Sequence, residues 1–547
     1  MKNNRSTKFI LLMLMLVLVS GLIVGFGNAK TCVALEATPE SLIVKELKGK
    51  EAGLYLSGGR NVESVNYVNT EGYPPFLDKA VWLGTLHGTW FEMGKQLGES
   101  SADMISYTTD IWWGKMCATK GVEATIEAMK LYEAQIAALD ENQVDLLKGI
   151  TEGALHMLSK SKYSDPNNKY YGDSYYRVIA ASIWDSWLWG NPVLRESGNG
   201  KDVDIKMILD AITGAGISPD GCNSLAVKGS VTKNGKTITS QLRHTAHEAL
   251  CYQEGYVFDS PDGNKVWTVG SLPAPSGLML INDKGVVVHH HFGGSTTRTS
   301  VEYQGGPYFS DAFGVPWPNA LLYAAVHANT AEEAIEYLTV GSEKYREKTG
   351  RKTMLRDGAW NWLVADENTL AVVEVSSDRY AVRYAGEFTG ENWYSTDYIA
   401  CANHFLCNYS YDEDNIRTDV PMTIFNCMEG SEDRFWTLMW ELCDYTESGN
   451  MDEYTVQHIV EGTYIRDKET GEKIYCTQDE KGNYVPFGFA KWCVQGSLVD
   501  EGRVNGTNAA KIAILNGDKS RAFWTLGNPM DWAGAWDEFI FLPIEDR

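Results

Sequence analysis

A cysteine at the open end of a β-hairpin is the feature that most constrains this chain. Cys222 follows Asp220-Gly221 and opens a run of residues that favour extended structure. Asn234-Gly235 lies between this run and a second one, and this dipeptide is typical of a tight turn between antiparallel strands. The sequence therefore predicts strands at 223–232 and 237–243, with the cysteine where they begin.

That position suits an enzyme whose nucleophile becomes a new N-terminus. A thiol needs a base to attack an acyl carbon well. If the Gly221–Cys222 bond is cut, Cys222 gains an α-amine whose pKa lies near neutrality and which can take the thiol proton. Taken alone, the Gly-Cys pair equally fits a buried structural cysteine or one half of a disulfide.

The N-terminus has the pattern of a targeting segment. Basic residues at positions 2, 5 and 8 precede an uncharged run at 9–26, and small residues follow up to Ala29 and Ala34. This predicts a secretory signal cleaved after either alanine, or an uncleaved membrane anchor, because the run is close to the length that spans a bilayer. We expect a secreted or extracytoplasmic protein, and export permits disulfides among the ten cysteines.

Composition narrows the range of partners. The net charge of −24 at pH 7 disfavours binding to nucleic acid, because an acidic protein repels phosphate backbones. The 18 tryptophans and 28 tyrosines favour apolar or aromatic-lined surfaces, although we expect most of these side chains in the core.

The periodicity of apolar residues changes along the chain. A helical pattern covers 87–159 and continues in pieces to about 214, whereas the chain after Cys222 is rich in strand patterns. Further strands are predicted at 265–270, 277–281, 285–292, 361–366, 370–375 and 379–384, and helices at Asn329–Val340 and Glu432–Asp444. These patterns predict an α+β fold.

Seven short blocks, in order along the chain, resemble the acyl-coenzyme A:6-aminopenicillanic acid acyltransferase family of cysteine Ntn hydrolases. More distantly, they resemble choloylglycine (bile salt) hydrolases and phospholipase B-like proteins. The blocks are Gly88–Gly98, Leu147–Ala154, Asp220–Ser224, Ile281–Val288, Trp362–Asp366 with Val372–Val375, Ala402–Phe405 and Ser431–Phe435.

The resemblance implies a four-layer αββα sandwich preceded by a mostly helical pro-segment. After the signal peptide or anchor that the N-terminal pattern predicts at 1–34, it implies a pro-segment at 35–221 and a catalytic chain at 222–547. The precursor would cut itself between Gly221 and Cys222, and the two chains would stay together. The reaction would be hydrolysis or acyl transfer on a small-molecule amide or N-acyl substrate, with no cofactor and no metal.

The resemblance also implies roles for individual residues. The amide nitrogen of Asn403 would hold the oxyanion, and His291 would lie near the second oxyanion position. Arg434 would orient the thiolate or bind a substrate carboxylate, with an exposed first-turn arginine as the alternative. Arg243 would pack near the nucleophile. The aspartate that the family usually places just after this arginine is absent, and His244 or Glu248 could replace it.

Other interpretations remain open at this stage. Strand alternation puts His289 and His291 of the His289-His290-His291 run on one face, where they could bind zinc together with His244 and His247. Asn361 and Asp366 fit strand-end capping better than catalysis. The same nucleophile could serve a phospholipase B-like lipid deacylase, or the fold could belong to a non-catalytic surface binding protein.

Overall fold

The computed structural model describes residues 52–55, 81–183, 221–246, 253–293, 313–376, 379–387, 395–404, 406, 431–460, 462, 464–475, 477–478, 484–485, 505–526 and 537–543. The predicted targeting segment at 1–34 lies outside these residues, as do His247, Glu248 and the side chain of His244. All described residues belong to one compact unit.

An eight-stranded sheet forms one half of the β-structure. Its strands are β2 (Val81–Leu86), β5 (Gln253–Phe258), β6 (Val266–Ser271), β7 (Met279–Asn282), β8 (Val287–Phe292), β9 (Ala359–Ala365), β10 (Leu370–Ser376) and β11 (Arg379–Tyr384). Their spatial order is β11-β10-β9-β8-β7-β6-β5-β2, and every neighbouring pair is antiparallel except β2 with β5.

A seven-stranded, fully antiparallel sheet forms the other half. Its strands are β1 (Ala52–Tyr55), β3 (Gly221–Gly229), β4 (Gly235–Ala246), β12 (Tyr398–Cys401), β17 (Asn505–Ile514), β18 (Arg521–Leu526) and β19 (Asp537–Pro543). Their order is β1-β19-β18-β17-β4-β3-β12, which places the cysteine-bearing strand β3 second from one edge. Two small pairs complete the described strands: β13 (Tyr464–Arg466) with β14 (Lys473–Tyr475), and β15 (Thr477–Gln478) with β16 (Tyr484–Val485).

The predicted hairpin is confirmed. Strands β3 and β4 pair antiparallel, and Gly235 has a φ of +74° at the turn, a conformation that glycine adopts readily. The six later strands predicted from alternation are present within one or two residues, as β6–β11. Strands β2, β5 and β12–β19 were not predicted, because their short or mixed sequences lack a clear two-residue period.

Helices precede the hairpin and alternate with the later strands. The described helices are α1 (Trp90–Ser100), α2 (Ala102–Lys120), α3 (Val122–Leu139), α4 (Glu141–Leu158), α5 (Ser174–Ser182), α6 (Trp317–His327), α7 (Ala331–Thr339), α8 (Glu343–Thr349), α9 (Ser431–Ser448) and α10 (Glu453–Val460). A one-turn 3-10 helix covers Lys162–Ser164. None of the described helices combines the length and apolarity that a membrane crossing requires.

Two glycine pairs let α1 and α4 cross with their backbones in contact. A Cβ placed on Gly94 or Gly98 of α1 would lie 2.1 or 2.3 Å from a backbone oxygen of α4. A Cβ on Gly149 or Gly153 of α4 would lie 2.1 or 2.3 Å from a backbone oxygen of α1. The first two sequence blocks are therefore the two halves of one helix crossing that only glycine permits.

Apolar side chains form three clusters that follow the sheets. The largest joins α1–α8 to one face of the eight-stranded sheet, and a second joins α9 and α10 to one face of the seven-stranded sheet. The third cluster draws side chains from both sheets, including Ala226 of β3, Val287 of β8 and Leu363 of β9. The inner faces of the two sheets therefore share a core.

Replacing Gly149 by alanine tests the helix crossing. Gly→Ala inside a helix normally stabilises by about 1 kcal/mol, but here the new Cβ would lie 2.1 Å from the Phe91 carbonyl oxygen. We expect G149A to lower the free energy of unfolding by about 1–3 kcal/mol, as overpacking usually does. Glu152→Ala, on the exposed side of α4, is the control. An unchanged or higher melting temperature for G149A would contradict this packing.

Candidate active site

Cys222 is the second residue of β3 and lies opposite Arg243 of β4. Residues two apart on a strand face the same way, so Cys222 shares the inner face with Ser224 and with Ala226 of the inter-sheet core. Leu225 and Val227 face the helical side. Cys222 is buried, at 4% exposure, and carries a thiol rather than a disulfide.

The backbone nitrogen of Cys222 is held by a side chain from beyond β12. It donates a hydrogen bond to Asn403 Oδ1 at 2.5 Å, and Arg434 Nη2 donates to the same oxygen at 2.7 Å. Both partners are donors only, so the amide oxygen of Asn403 must face them. The resemblance implies a role for Asn403 through its amide nitrogen, whereas in the structure its amide oxygen contacts the backbone of Cys222.

Arg434 lies in the first turn of α9, yet it is fully buried. This excludes the exposed first-turn arginine left open by the sequence. Arg434 Nη2 also approaches the Cys222 carbonyl oxygen at 3.5 Å. The guanidinium therefore contacts both the backbone of Cys222 and the side chain of Asn403.

Ser431 ties the start of α9 to the Asn403 segment. Its hydroxyl accepts from the backbone N–H of Asn403 at 2.8 Å and lies 2.8 Å from Nδ1 of His404. A serine hydroxyl has two acceptor sites and one donor, so it can hold the Asn403 N–H and the His404 ring at the same time. Asn403 is thus fixed at its backbone by one α9 residue and at its side chain by another.

Arg243 is buried and lies directly across from Cys222 in the β3–β4 pair. Directly opposed residues on one face have Cβ atoms about 4.5–5.5 Å apart. The strand register therefore places Arg243 opposite Cys222, and its packing role there stays a prediction. The residues proposed to replace the missing aspartate, His244 by its side chain and Glu248, lie outside the described residues.

His291 and His289 meet the cysteine-bearing strand at Ser224. Ser224 Oγ lies 2.6 Å from His291 Nε2 and 3.1 Å from His289 Nδ1, while His289 Nε2 lies 3.1 Å from Thr239 Oγ1. The prediction that His289 and His291 share a face is confirmed. His290 faces the other way, where it stacks on Trp317 at 3.9 Å and accepts from Trp362 Nε1.

The partners of His291 fix its tautomer. Its Nδ1 lies 3.1 Å from the carbonyl oxygen of Asn361, an acceptor, so this nitrogen carries a proton. Burial is the largest cause that lowers the pKa of His291 to about 3, and the Arg434 charge adds to it. The ring is therefore neutral near pH 7, and its Nε2 accepts from Ser224. Both ring nitrogens of His291 thus have partners, Asn361 at Nδ1 and Ser224 at Nε2.

Only some of the histidines considered for a zinc site are among the described residues. Among the described residues, no group of three or more His, Cys, Asp or Glu is arranged to hold a metal ion. The hydroxyl of Ser224 lies within hydrogen-bond distance of both His289 and His291. His247 and the side chain of His244 lie outside the described residues.

Asn361 and Asp366 differ in what they do. The Asp366 carboxylate accepts from the backbone N–H groups of Asn368, Thr369 and Ala331, so it caps the β9–β10 turn and the start of α7. Asn361 was also expected to cap a strand end. Instead its Nδ2 crosses between the sheets and donates to the carbonyl oxygens of Ala402 and His404.

Sequence reasoning missed three residues that contact the site. Ser224 was treated only as part of a strand, and Glu374 only as part of a strand-like block. Arg383 was not singled out; it lies 3.6 Å from Glu374 in a buried ion pair. A single charged residue inside an otherwise apolar strand, such as Val372-Val373-Glu374-Val375, is the signal that could have marked Glu374 as buried and paired.

Comparison with known proteins gives a weak structural likeness only. No family model matches the chain, and no curated protein matches it. Among solved structures, a mutant of a conjugated bile acid hydrolase from Clostridium perfringens aligns at 10% identity with a TM-score of 0.31, over 60% of this chain and 93% of that one. Another variant of that hydrolase aligns at 11% identity with a TM-score of 0.27, over 56% and 89%. Similarity at this level establishes neither a family nor an activity.

The buried histidines predict how stability depends on pH. Burial lowers the pKa of His291 and of His404 to about 3, so between pH 6.5 and 3 the unfolded chain binds protons that the folded chain does not. Stability is therefore full above about pH 6.5 and falls as the pH drops towards 3. His404→Gln should reduce this slope by up to about 1.4 kcal/mol per pH unit.

Urea unfolding at a series of pH values between 7 and 4 would measure the slope. The exposed His156→Gln variant controls for the loss of a histidine as such. Parallel stability curves for the wild type and His404→Gln would contradict the buried, neutral state of His404.

Proposed function

We propose that this protein is an exported cysteine amidohydrolase or acyltransferase with an N-terminal nucleophile, made as a precursor and cut between Gly221 and Cys222. The observation that carries the proposal is the hydrogen bond from the Cys222 nitrogen to Asn403 Oδ1, an oxygen that also accepts from Arg434. Cleavage would turn this held peptide nitrogen into a held α-amine beside its own thiol. Export rests on the pattern of residues 1–34 alone.

The arrangement of sheets and helices supports a four-layer αββα sandwich. One helical cluster covers the outer face of each sheet, and a third apolar cluster lies between the sheets. In this proposal residues 35–221 form the pro-segment and 222–547 the catalytic chain. The pro-segment stays bound after cleavage, because β1 and β2 pair with β19 and β5 of the catalytic chain.

The precursor cleaves by an acyl shift. The Cys222 sulfur attacks the Gly221 carbonyl carbon, and the Gly221–Cys222 C–N bond breaks as its nitrogen takes up a proton. A thioester then joins Gly221 to the sulfur, and water hydrolyses it to leave a carboxylate on Gly221 and a thiol on Cys222. The mature enzyme repeats the chemistry on a substrate amide. The α-amine takes the thiol proton, sulfur attacks, the amine product leaves with that proton, and water or a second amine resolves the thioester.

The charges around the nucleophile favour its thiolate. Arg243 is its direct cross-strand neighbour, and Arg434 contacts its backbone carbonyl. A nearby guanidinium lowers the free-energy cost of forming a thiolate. The Asn403 amide nitrogen and a backbone N–H would hold the oxyanion, while His291 acts through Ser224, because both of its ring nitrogens are engaged.

Removal of the thiol tests the proposal directly. We expect purified wild-type protein to yield a second N-terminal sequence that begins at Cys222, and Cys222→Ala to remain one uncut chain. Cys117→Ala is the matched control, because Cys117 is also a buried thiol but lies in α2. Intact mass and N-terminal sequencing give the readout. A single uncut chain for all three proteins would favour the non-catalytic binding protein instead.

Asn403→Asp separates the two roles of Asn403. The carboxylate keeps an oxygen for the Cys222 nitrogen and Arg434 but removes the amide hydrogens. If Asn403 serves the oxyanion, kcat on N-acyl amide substrates should fall by about 10²–10³-fold while cleavage at Cys222 continues. Asn403→Leu, which lacks the oxygen as well, should also block cleavage. Equal turnover by Asn403→Asp and the wild type would remove the oxyanion role.

A further inference from the structure

The backbone around Asn403 lies where strand pairing ends. The pairing of β12 with β3 ends at Cys401, opposite Ser224, so among the described residues the backbone groups that follow are not part of this strand ladder. Ala402, His404 and Leu406 are nevertheless buried. Buried backbone groups are costly when they lack partners. Contacts other than strand pairing must therefore satisfy these backbone groups.

A row of polar side chains on the opposite sheet does this. His291, Asn361 and Glu374 lie directly across from one another on β8, β9 and β10, and all three are fully buried. We call these three residues the polar row. Opposed residues face the same side of a sheet, and the bond from His291 to Ser224 shows that this side faces the cysteine-bearing sheet.

Each contact matches a donor with an acceptor. Asn361 Nδ2 donates to the carbonyl oxygens of Ala402 at 2.9 Å and His404 at 2.8 Å, the two residues that flank Asn403. The Glu374 carboxylate accepts from the backbone N–H of Leu406 at 3.1 and 3.2 Å. Arg383, which pairs with Glu374, donates to the carbonyl oxygen of Ala400 at 2.9 Å.

Asn361 is the centre of this arrangement. Its side chain fixes the backbone on both sides of Asn403, and its own carbonyl oxygen receives His291 Nδ1. With the amide reversed, its oxygen would face two carbonyl oxygens, so the donor assignment follows from the chemistry. One residue therefore connects the segment that holds the Cys222 nitrogen with the histidine that holds Ser224.

We propose that Asn361 is a positioning residue of the nucleophile site: by holding the carbonyls on either side of Asn403, it sets where Asn403 Oδ1 meets the Cys222 nitrogen. The expected effect of Asn361 on cleavage and catalysis rests on the function proposed above. Glu374 and Arg383 hold the ends of the same segment and support it. A displacement of about 1 Å in such a contact can cost 10²-fold in rate.

The chain supplies a close control for this proposal. Asn282 is another fully buried strand asparagine whose Nδ2 donates to two backbone carbonyls, those of Ala325 and Ala328. Its oxygen also accepts from the N–H groups of Lys284 and Val286. Its backbone partners lie at the end of α6 and in the turn before β8, away from Asn403. Asn282→Leu removes more hydrogen bonds than Asn361→Leu does, and is the more severe structural change.

The experiment measures the rate of cleavage at Cys222 together with thermal stability in both variants. We expect Asn361→Leu to slow cleavage by about 100-fold and Asn282→Leu to cleave within about twofold of the wild type, even if it melts lower. If Asn361→Leu does not fold, Asn361→Ser replaces it, because a smaller side chain admits a bridging water. Equal cleavage rates for the two asparagine variants at equal stability would overturn the positioning role.

A structural readout keeps this test separate from the proposed function. Crystal structures of Asn361→Leu and Asn282→Leu, each combined with Cys222→Ala, would give the distance from Asn403 Oδ1 to the nitrogen of residue 222, which is 2.5 Å here. We expect it to lengthen only with Asn361→Leu. If the wild type does not cleave but this distance responds, the proposed function fails and the positioning role stands. An unchanged distance in both variants overturns the positioning role whatever the activity.

Discussion

One oxygen atom connects the parts of this site. Asn403 Oδ1 accepts from the Cys222 nitrogen and from Arg434, and so joins strand β3, the segment after β12 and the first turn of α9. A bond that includes an ionised donor is stronger and more directional than a neutral one. Because the guanidinium can meet only an acceptor, it fixes which end of the Asn403 amide faces the cysteine. The hydrogen bond to the Cys222 nitrogen depends on this orientation.

The space between the two sheets is divided between apolar and polar residues. One part holds the core that includes Ala226, Val287 and Leu363. The other part, at the cysteine end of β3, holds the polar row, Ser224 and buried arginines. Polar groups buried at this depth need partners, and they find them in backbone that has left the strand. The low pKa of His291 follows from the same burial and keeps its ring neutral.

The sequence blocks serve different purposes. Those around Gly94 and Gly149 are two faces of one helix crossing, where a methyl group would meet backbone oxygen. Both blocks belong to the helical layer on the eight-stranded sheet. The blocks around Cys222, Asn403 and Arg434 meet at the site itself. The resemblance in the glycine-containing helix blocks is therefore evidence about packing. Only the blocks around Cys222, Asn403 and Arg434 bear on the chemistry of the site.

The sequence by itself determined what local chemistry decides: the β3–β4 hairpin from its Asn-Gly turn, Cys222 at its open end, and the shared face of His289 and His291. Arg243 opposite Cys222 follows once that register is set. Only the tertiary structure decided which atom of Asn403 faces the cysteine and that Arg434 is buried. It also placed Ser224, Asn361, Glu374 and Arg383 around the site. The reason is separation along the chain. Cys222 and Asn403 are 181 residues apart, and a hydrogen bond between such residues depends on how two sheets and a helix pack, which no local pattern records.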